Sequence, residues 1–139
     1  MRNIKVIVEY DGTKFHGWQF QSHCRSVQGE LQKAVRQITS EAVLVEGAGR
    51  TDTGVHARGQ TANFKVESTM DLFSLMKGLN AVLPNDVRIK KLDEAEMGFH
   101  ARFSAKERRY KYHIVQRPIA VGRHFHWFYP HPVNFELMQ

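Results

Sequence analysis

Gly47-Ala48-Gly49-Arg50-Thr51-Asp52-Thr53-Gly54-Val55-His56-Ala57-Arg58-Gly59-Gln60 stands between two strand-like segments, Val43-Leu44-Val45 and Thr61-Ala62-Asn63-Phe64-Lys65-Val66. Four of the chain's ten glycines fall inside it. A loop of this length between short strands is uncommon and is often functional. It carries a carboxylate, two guanidiniums, two hydroxyls and an imidazole on a backbone that glycine lets bend sharply. On composition alone the stretch also fits a solvated turn in which Asp52 bonds nearby amides.

Working outward gives the rest of the fold. Strand two is expected over Ala42 to Glu46 and strand three over 60–67. Upstream, Ser26 is a good N-cap for a helix over 27–40, in which Val27, Leu31, Ala34, Val35 and Ile38 share one face. Before it, Ile4 to Tyr10 alternates as a strand, and Asp11-Gly12 ends it. Between the two, Phe15 and Trp18 read as residues packed over a core. Downstream, Leu72, Leu75, Met76, Leu79 and Leu83 stripe a second helix over 71–83, which Pro84 stops. A fourth strand follows over 86–92. The order β-α-β-β-α-β predicts an α+β, ferredoxin-like antiparallel sheet with helices on one face. Residues 1–98 are expected to form this domain, carrying the loop 47–60, with 99–139 as an extension.

The extension opens with Phe99-His100-Ala101-Arg102-Phe103-Ser104-Ala105 and a basic run holding Lys106, Arg108, Arg109 and Lys111. From Arg109 the pattern alternates, with Tyr110, Tyr112 and Ile114 on one face, so a further strand is expected to extend the sheet. The chain ends at Phe135-Glu136-Leu137-Met138-Gln139, which reads as the first turn of another helix. No stop signal precedes it, as expected for the front portion of a longer protein.

The 139 residues suffice for one ordinary core, and the net charge of +6 favours a polyanionic partner. Basic residues interleaved with aromatics suit a phosphate backbone and a stacked base. No apolar run is long enough to cross a membrane. A single cysteine, Cys24, rules out an internal disulfide and fits the cytoplasm. Dinucleotide, P-loop and Gly-x-Ser-x-Gly patterns are absent, and His124-x-His126 is the only close histidine pair, so no metal site is expected. What remains is Asp52 on its loop beside a basic-aromatic segment. Neighbouring guanidiniums would keep such a carboxylate ionised, fit to act as a nucleophile or as the electrostatic partner of a cationic sugar centre. Chemistry on a base in structured RNA needs that base flipped onto an aromatic platform, for which Tyr110 is available.

The run Ala48-Gly49-Arg50-Thr51-Asp52-Thr53-Gly54-Val55-His56-Ala57 closely resembles the signature of TruA-type tRNA pseudouridine synthases. Tyr10-Asp11-Gly12-Thr13-x-Phe15-x-Gly17-Trp18-Gln19, Val27-Gln28-x-x-Leu31, Leu79-Asn80-x-x-Leu83-Pro84-x-Asp86-Val87 and Phe99-x-Ala101-Arg102-x-Ser104-Ala105 resemble further blocks of that family. Arg109-Tyr110-Lys111-Tyr112 resembles its Arg-Tyr-Arg-Tyr, with Lys111 as a departure. The resemblance implies conversion of uridine to pseudouridine in the tRNA anticodon stem-loop, with no cofactor or metal, by a homodimer. It puts the catalytic aspartate at Asp52, an arginine for base flipping at Arg50, and the stacking tyrosine at Tyr110. It also implies a second α/β half that supplies an arginine to the aspartate. Charge and position add Arg58, Lys106, Arg108 and Lys111 as RNA-backbone contacts. The residues alone leave two other readings open: a non-catalytic RNA-binding module on the same fold, and an interaction domain with incidental charge.

Overall fold

The computed structural model describes residues 1–138. Met1–Arg108 forms one compact unit, and a second begins at Arg109. In the first, four strands pair in the order β2-β3-β1-β4. They are β1 (Arg2–Tyr10), β2 (Glu46–Gly47), β3 (Ala57–Val66) and β4 (Val87–Ala95), and every pairing is antiparallel. Two helices, α1 (Val27–Thr39) and α2 (Leu72–Val82), separate them as expected.

The two-residue period of β1 decides the layering. Ile4, Val6, Val8 and Tyr10 are buried, with Lys5 and Glu9 between them. They join one apolar cluster with Val27, Leu31 and Val35 of α1 and Leu75 and Leu79 of α2. Removing such a side chain from water is worth about 1.5–3 kcal/mol. Ser26 and Asp71 cap the two helices by accepting from the amides of Gly29 and Ser74.

Strand two is shorter than the pattern 42–46 predicts: only Glu46 and Gly47 enter the ladder. The reason lies in α1. Gln32 Oε1 accepts from the Val45 amide at 3.3 Å, and Gln28 Nε2 donates to the Val45 carbonyl at 2.8 Å. Helix side chains thus take the backbone groups that a neighbouring strand would need. Strand three instead begins earlier than expected, at Ala57.

Both partners of β1 lose register at the same end. Val8 pairs with Gln60 and Tyr10 with Ala57, so Arg58 and Gly59 oppose a single residue. On the other side Ile7 pairs with Lys91 and Val8 with Ile89, leaving Lys90 as an extra residue. Lys90 Nζ donates to the Arg58 carbonyl at 3.0 Å. Such bulges re-aim a strand, and here they lie where β3 leaves the glycine-rich loop.

Residues 99–101 are fastened to the first unit by a buried pair of asparagines. Asn3 Nδ2 donates to the carbonyls of Glu96 and Phe99, both at 2.8 Å. Asn63 Nδ2 donates to Asn3 Oδ1 at 3.0 Å, while Asn63 Oδ1 accepts from the Ala101 amide at 2.8 Å.

In the second unit the expected strand from Arg109 is confined to β5 (Ile114–Val115), paired in parallel with β6 (Trp127–Phe128). It forms a separate two-stranded sheet and does not extend the first. Alternation makes a strand only where a neighbouring edge accepts its ladder bonds, and here those bonds begin at the His113 carbonyl, which accepts from the Trp127 amide at 2.7 Å. The expected terminal turn is a 3-10 turn over Phe135–Met138, with Asn134 Oδ1 accepting from the amides of Glu136 and Leu137. Gln139 lies outside the described residues.

Candidate active site

The loop between β2 and β3 spans 48–56, shorter than the expected 47–60 because β3 takes up its last residues. It is held at almost every step. The Ala48 amide donates to the Thr61 carbonyl at 2.7 Å, and Gln60 Nε2 to the Gly49 carbonyl at 2.5 Å. The Thr51 carbonyl accepts from the Trp18 amide at 2.9 Å, and its hydroxyl lies 2.7 Å from the Tyr10 hydroxyl. The Val55 amide closes a turn on the Asp52 carbonyl at 3.1 Å, and the Gly54 amide donates to the Phe15 carbonyl at 3.3 Å. The His56 ring accepts from the Gly12 amide at 3.0 Å.

The aromatic stretch after β1 is therefore the bed of this loop. Phe15 and Trp18 are buried, as their packing role predicts. At Gly17 the approach is so close that a Cβ would lie 2.5 Å from the Thr51 carbonyl oxygen, and its φ is +83°. Two sequence blocks far apart in the chain thus form one structural piece.

A clamp that the sequence reading missed supports Phe15. Arg25 donates from both terminal guanidinium nitrogens to the two carboxylate oxygens of Asp86, at 2.7 and 2.8 Å. The same guanidinium lies 4.1 Å from the Phe15 ring centroid. The hydrogen bond from Arg25 holds the Asp86 carboxyl below the usual carboxylate range, and Asp86 raises Arg25 in turn. Nothing local marks Arg25, since its partner is 61 residues away.

On this rigid loop Asp52 is exposed, and its carboxylate makes no hydrogen bond or ion pair with the described residues. Arg50 is also exposed and does not pair with it. The neighbouring guanidinium expected for Asp52 is therefore not supplied by any described residue. A carboxylate held by its backbone and left open at its oxygens can accept a proton, attack an electrophile or receive a cation.

The other expected residues divide. Arg58 is exposed on the bulged start of β3, and Lys106 is exposed near the end of the first unit. Arg108, expected as a phosphate contact, instead points Nε at the Ala48 carbonyl at 2.7 Å and a terminal nitrogen at the Arg102 carbonyl at 2.9 Å. It ties the entry of the loop to the turn after β4. Tyr110 and Lys111 belong to the second unit and are exposed there, Tyr110 by 63%. Among the described residues, no three His, Cys, Asp or Glu side chains gather as a metal site would require. No helix of the described residues is long and apolar enough to cross a membrane.

Comparison with known proteins bears on this loop directly. A family model described as tRNA pseudouridine synthase matches residues 6–104, which include the whole loop and stop short of Tyr110. The chain is 46% identical over 141 residues to tRNA pseudouridine synthase A of Thermoanaerobacter sp. (strain X514), covering 100% of this chain and 58% of that protein. It is 48% identical over 126 residues to tRNA pseudouridine synthase A of Pelodictyon phaeoclathratiforme, covering 90% of this chain and 52% of the relative. For the protein of that name from Clostridium botulinum (strain Eklund 17B / Type B) the figures are 45% over 139 residues, 99% and 55%. The chain thus spans a little over half the length of these curated relatives.

Proposed function

The chain belongs to the tRNA pseudouridine synthase family, and from that premise we propose that it forms the nucleophile-bearing part of an enzyme that isomerises uridine to pseudouridine in the anticodon stem-loop of tRNA. Asp52 is the nucleophile. The observation that carries this reading is the pairing of a held backbone with an open carboxylate: the Thr51 and Asp52 carbonyls and the Gly54 amide are hydrogen-bonded, while the Asp52 side chain is exposed. A group so placed has little orientation left to lose when substrate arrives.

In this reaction the bond between N1 of uracil and C1′ of ribose breaks. The detached ring turns, C5 bonds to C1′, the proton from C5 leaves to water, and N1 takes up a proton in its place. Atoms are conserved, so the chemistry asks for a nucleophile and a means of holding the loose ring. Asp52 attacks either the sugar or the base. Arg50, exposed two residues before it, enters the stem-loop as the target base swings out. Tyr110 stacks on the flipped uracil, an interaction worth about 1–3 kcal/mol by alanine substitution. Arg58, Lys106 and Lys111 contact phosphates, while Arg108 holds the entry of the loop. The guanidinium that Asp52 lacks here is supplied by the remainder of the full-length protein. That protein acts as a homodimer in the cytoplasm and needs no cofactor.

The test is release of tritium from C5 of labelled, unmodified tRNA. It is run with this chain and with the chain extended to the length of its relatives, each beside its Asp52→Ala variant. Release that depends on Asp52 supports the reading. RNA binding with no release from the extended chain replaces it with a non-catalytic RNA-binding role.

A further inference from the structure

We infer that His56 is a positioning residue for Asp52, its ring accepting from the Gly12 amide and so locking the far end of the loop to the turn after β1. The inference rests on the reading of Asp52 as nucleophile. Two groups converge on one ring nitrogen. His56 Nδ1 lies 3.0 Å from the Gly12 amide and 3.0 Å from Asp11 Oδ1. A ring nitrogen holds either a lone pair or a proton, so it cannot accept from the amide and donate to the carboxylate together. The carboxylate already has donors. Asp11 Oδ1 accepts from the Thr13 amide at 3.0 Å and from the Thr13 hydroxyl at 2.6 Å. The Gly12 amide is buried with its residue, and His56 is the acceptor at hand. The ring therefore serves the Gly12 amide, whose N–H is directed at Nδ1.

The backbones around this bond leave no slack. A Cβ on Gly12 would sit 2.0 Å from the Val55 carbonyl oxygen, so the Gly12 backbone lies directly against the residue before His56. Val55 in turn donates its amide to the Asp52 carbonyl. The path from ring to nucleophile is thus short: Gly12 to His56, His56 to Val55, and Val55 to Asp52. The other end of the same turn hangs on Thr51, through Trp18 and Tyr10. Losing His56 frees one end of a turn that is otherwise held at both.

The experiment uses the full-length protein with His56→Ala and His56→Asn, whose Oδ1 replaces the acceptor at Nδ1. Two readouts are taken: the single-turnover rate on unmodified tRNA with tRNA affinity beside it, and hydrogen exchange of the Gly54 and Val55 amides without RNA. His56→Ala is expected to lower the rate tenfold or more with unchanged affinity, and to speed exchange of both amides at least tenfold. His56→Asn is expected to recover most of each. Equal losses in Ala and Asn, unchanged exchange in Ala, or a loss confined to tRNA affinity would each overturn the inference. Should the unsubstituted protein modify no tRNA, the functional reading fails, while the exchange data still decide whether His56 holds the loop.

Discussion

Arg25 and Asp86 meet through two N–H···O bonds of 2.7 and 2.8 Å, and the guanidinium carbon lies 4.1 Å from the Phe15 ring centroid. Phe15 then passes the restraint to the loop by accepting the Gly54 amide. A surface ion pair usually contributes little. This one is bidentate, only partly exposed, and braced by an aromatic ring.

Asp86→Asn should therefore destabilise the fold by about 1–2 kcal/mol at neutral pH, after allowance for solvent screening. The sign of the pH dependence follows from the depressed Asp86 carboxyl. Its contribution is present above the unfolded carboxylate value, about pH 4, and is lost as pH falls through the lower folded value. Urea melts at pH 7 and below pH 4 check this: the gap between wild type and Asp86→Asn should close in acid. A gap that widened would contradict the clamp.

Asp52→Asn should abolish product formation while changing stability by no more than about 0.5 kcal/mol, because the exposed carboxylate has no partner to lose. Paired measurements of tritium release and chemical denaturation on the full-length protein test both halves. Wild-type turnover would end the nucleophile assignment. A large stability loss would show that the carboxylate has a structural partner.

Gly17→Ala should do the reverse, harming fold and site together. Its φ of +83° is unfavourable for alanine, and the new Cβ would meet the Thr51 carbonyl oxygen at 2.5 Å. A loss of about 2 kcal/mol or more is expected, from strain plus displacement of Thr51. Denaturation midpoints and the Trp18 fluorescence read it out.

Arg108 and Lys106 should separate in a salt titration. Lys106→Ala should weaken tRNA binding and reduce the salt slope by about one unit, as a lost phosphate contact does. Arg108→Ala should cost about 1 kcal/mol of stability through the Ala48 and Arg102 carbonyls and should lower turnover. Identical salt behaviour of the two variants would argue against distinct roles.

Much of this protein is written in local patterns. The period of Ile4, Val6, Val8 and Tyr10, the stripes of α1 and α2, and the Ser26 cap follow from side-chain spacing alone, because each element must bury one face and satisfy its own ends. The glycine-rich block around Asp52 announced itself in the same way, by composition. What spacing could not decide is where backbone groups find partners far along the chain. The segment before Glu46 bonds to glutamines of α1 instead of a strand, and the alternation from Arg109 becomes a ladder only at Ile114. Arg25 finds Asp86, His56 finds Gly12, and Arg108 turns from a free cation into a loop tie. These are choices among several available donors and acceptors, and only the packed fold, which brings one of them within 3 Å or so and excludes water from the rest, makes the choice.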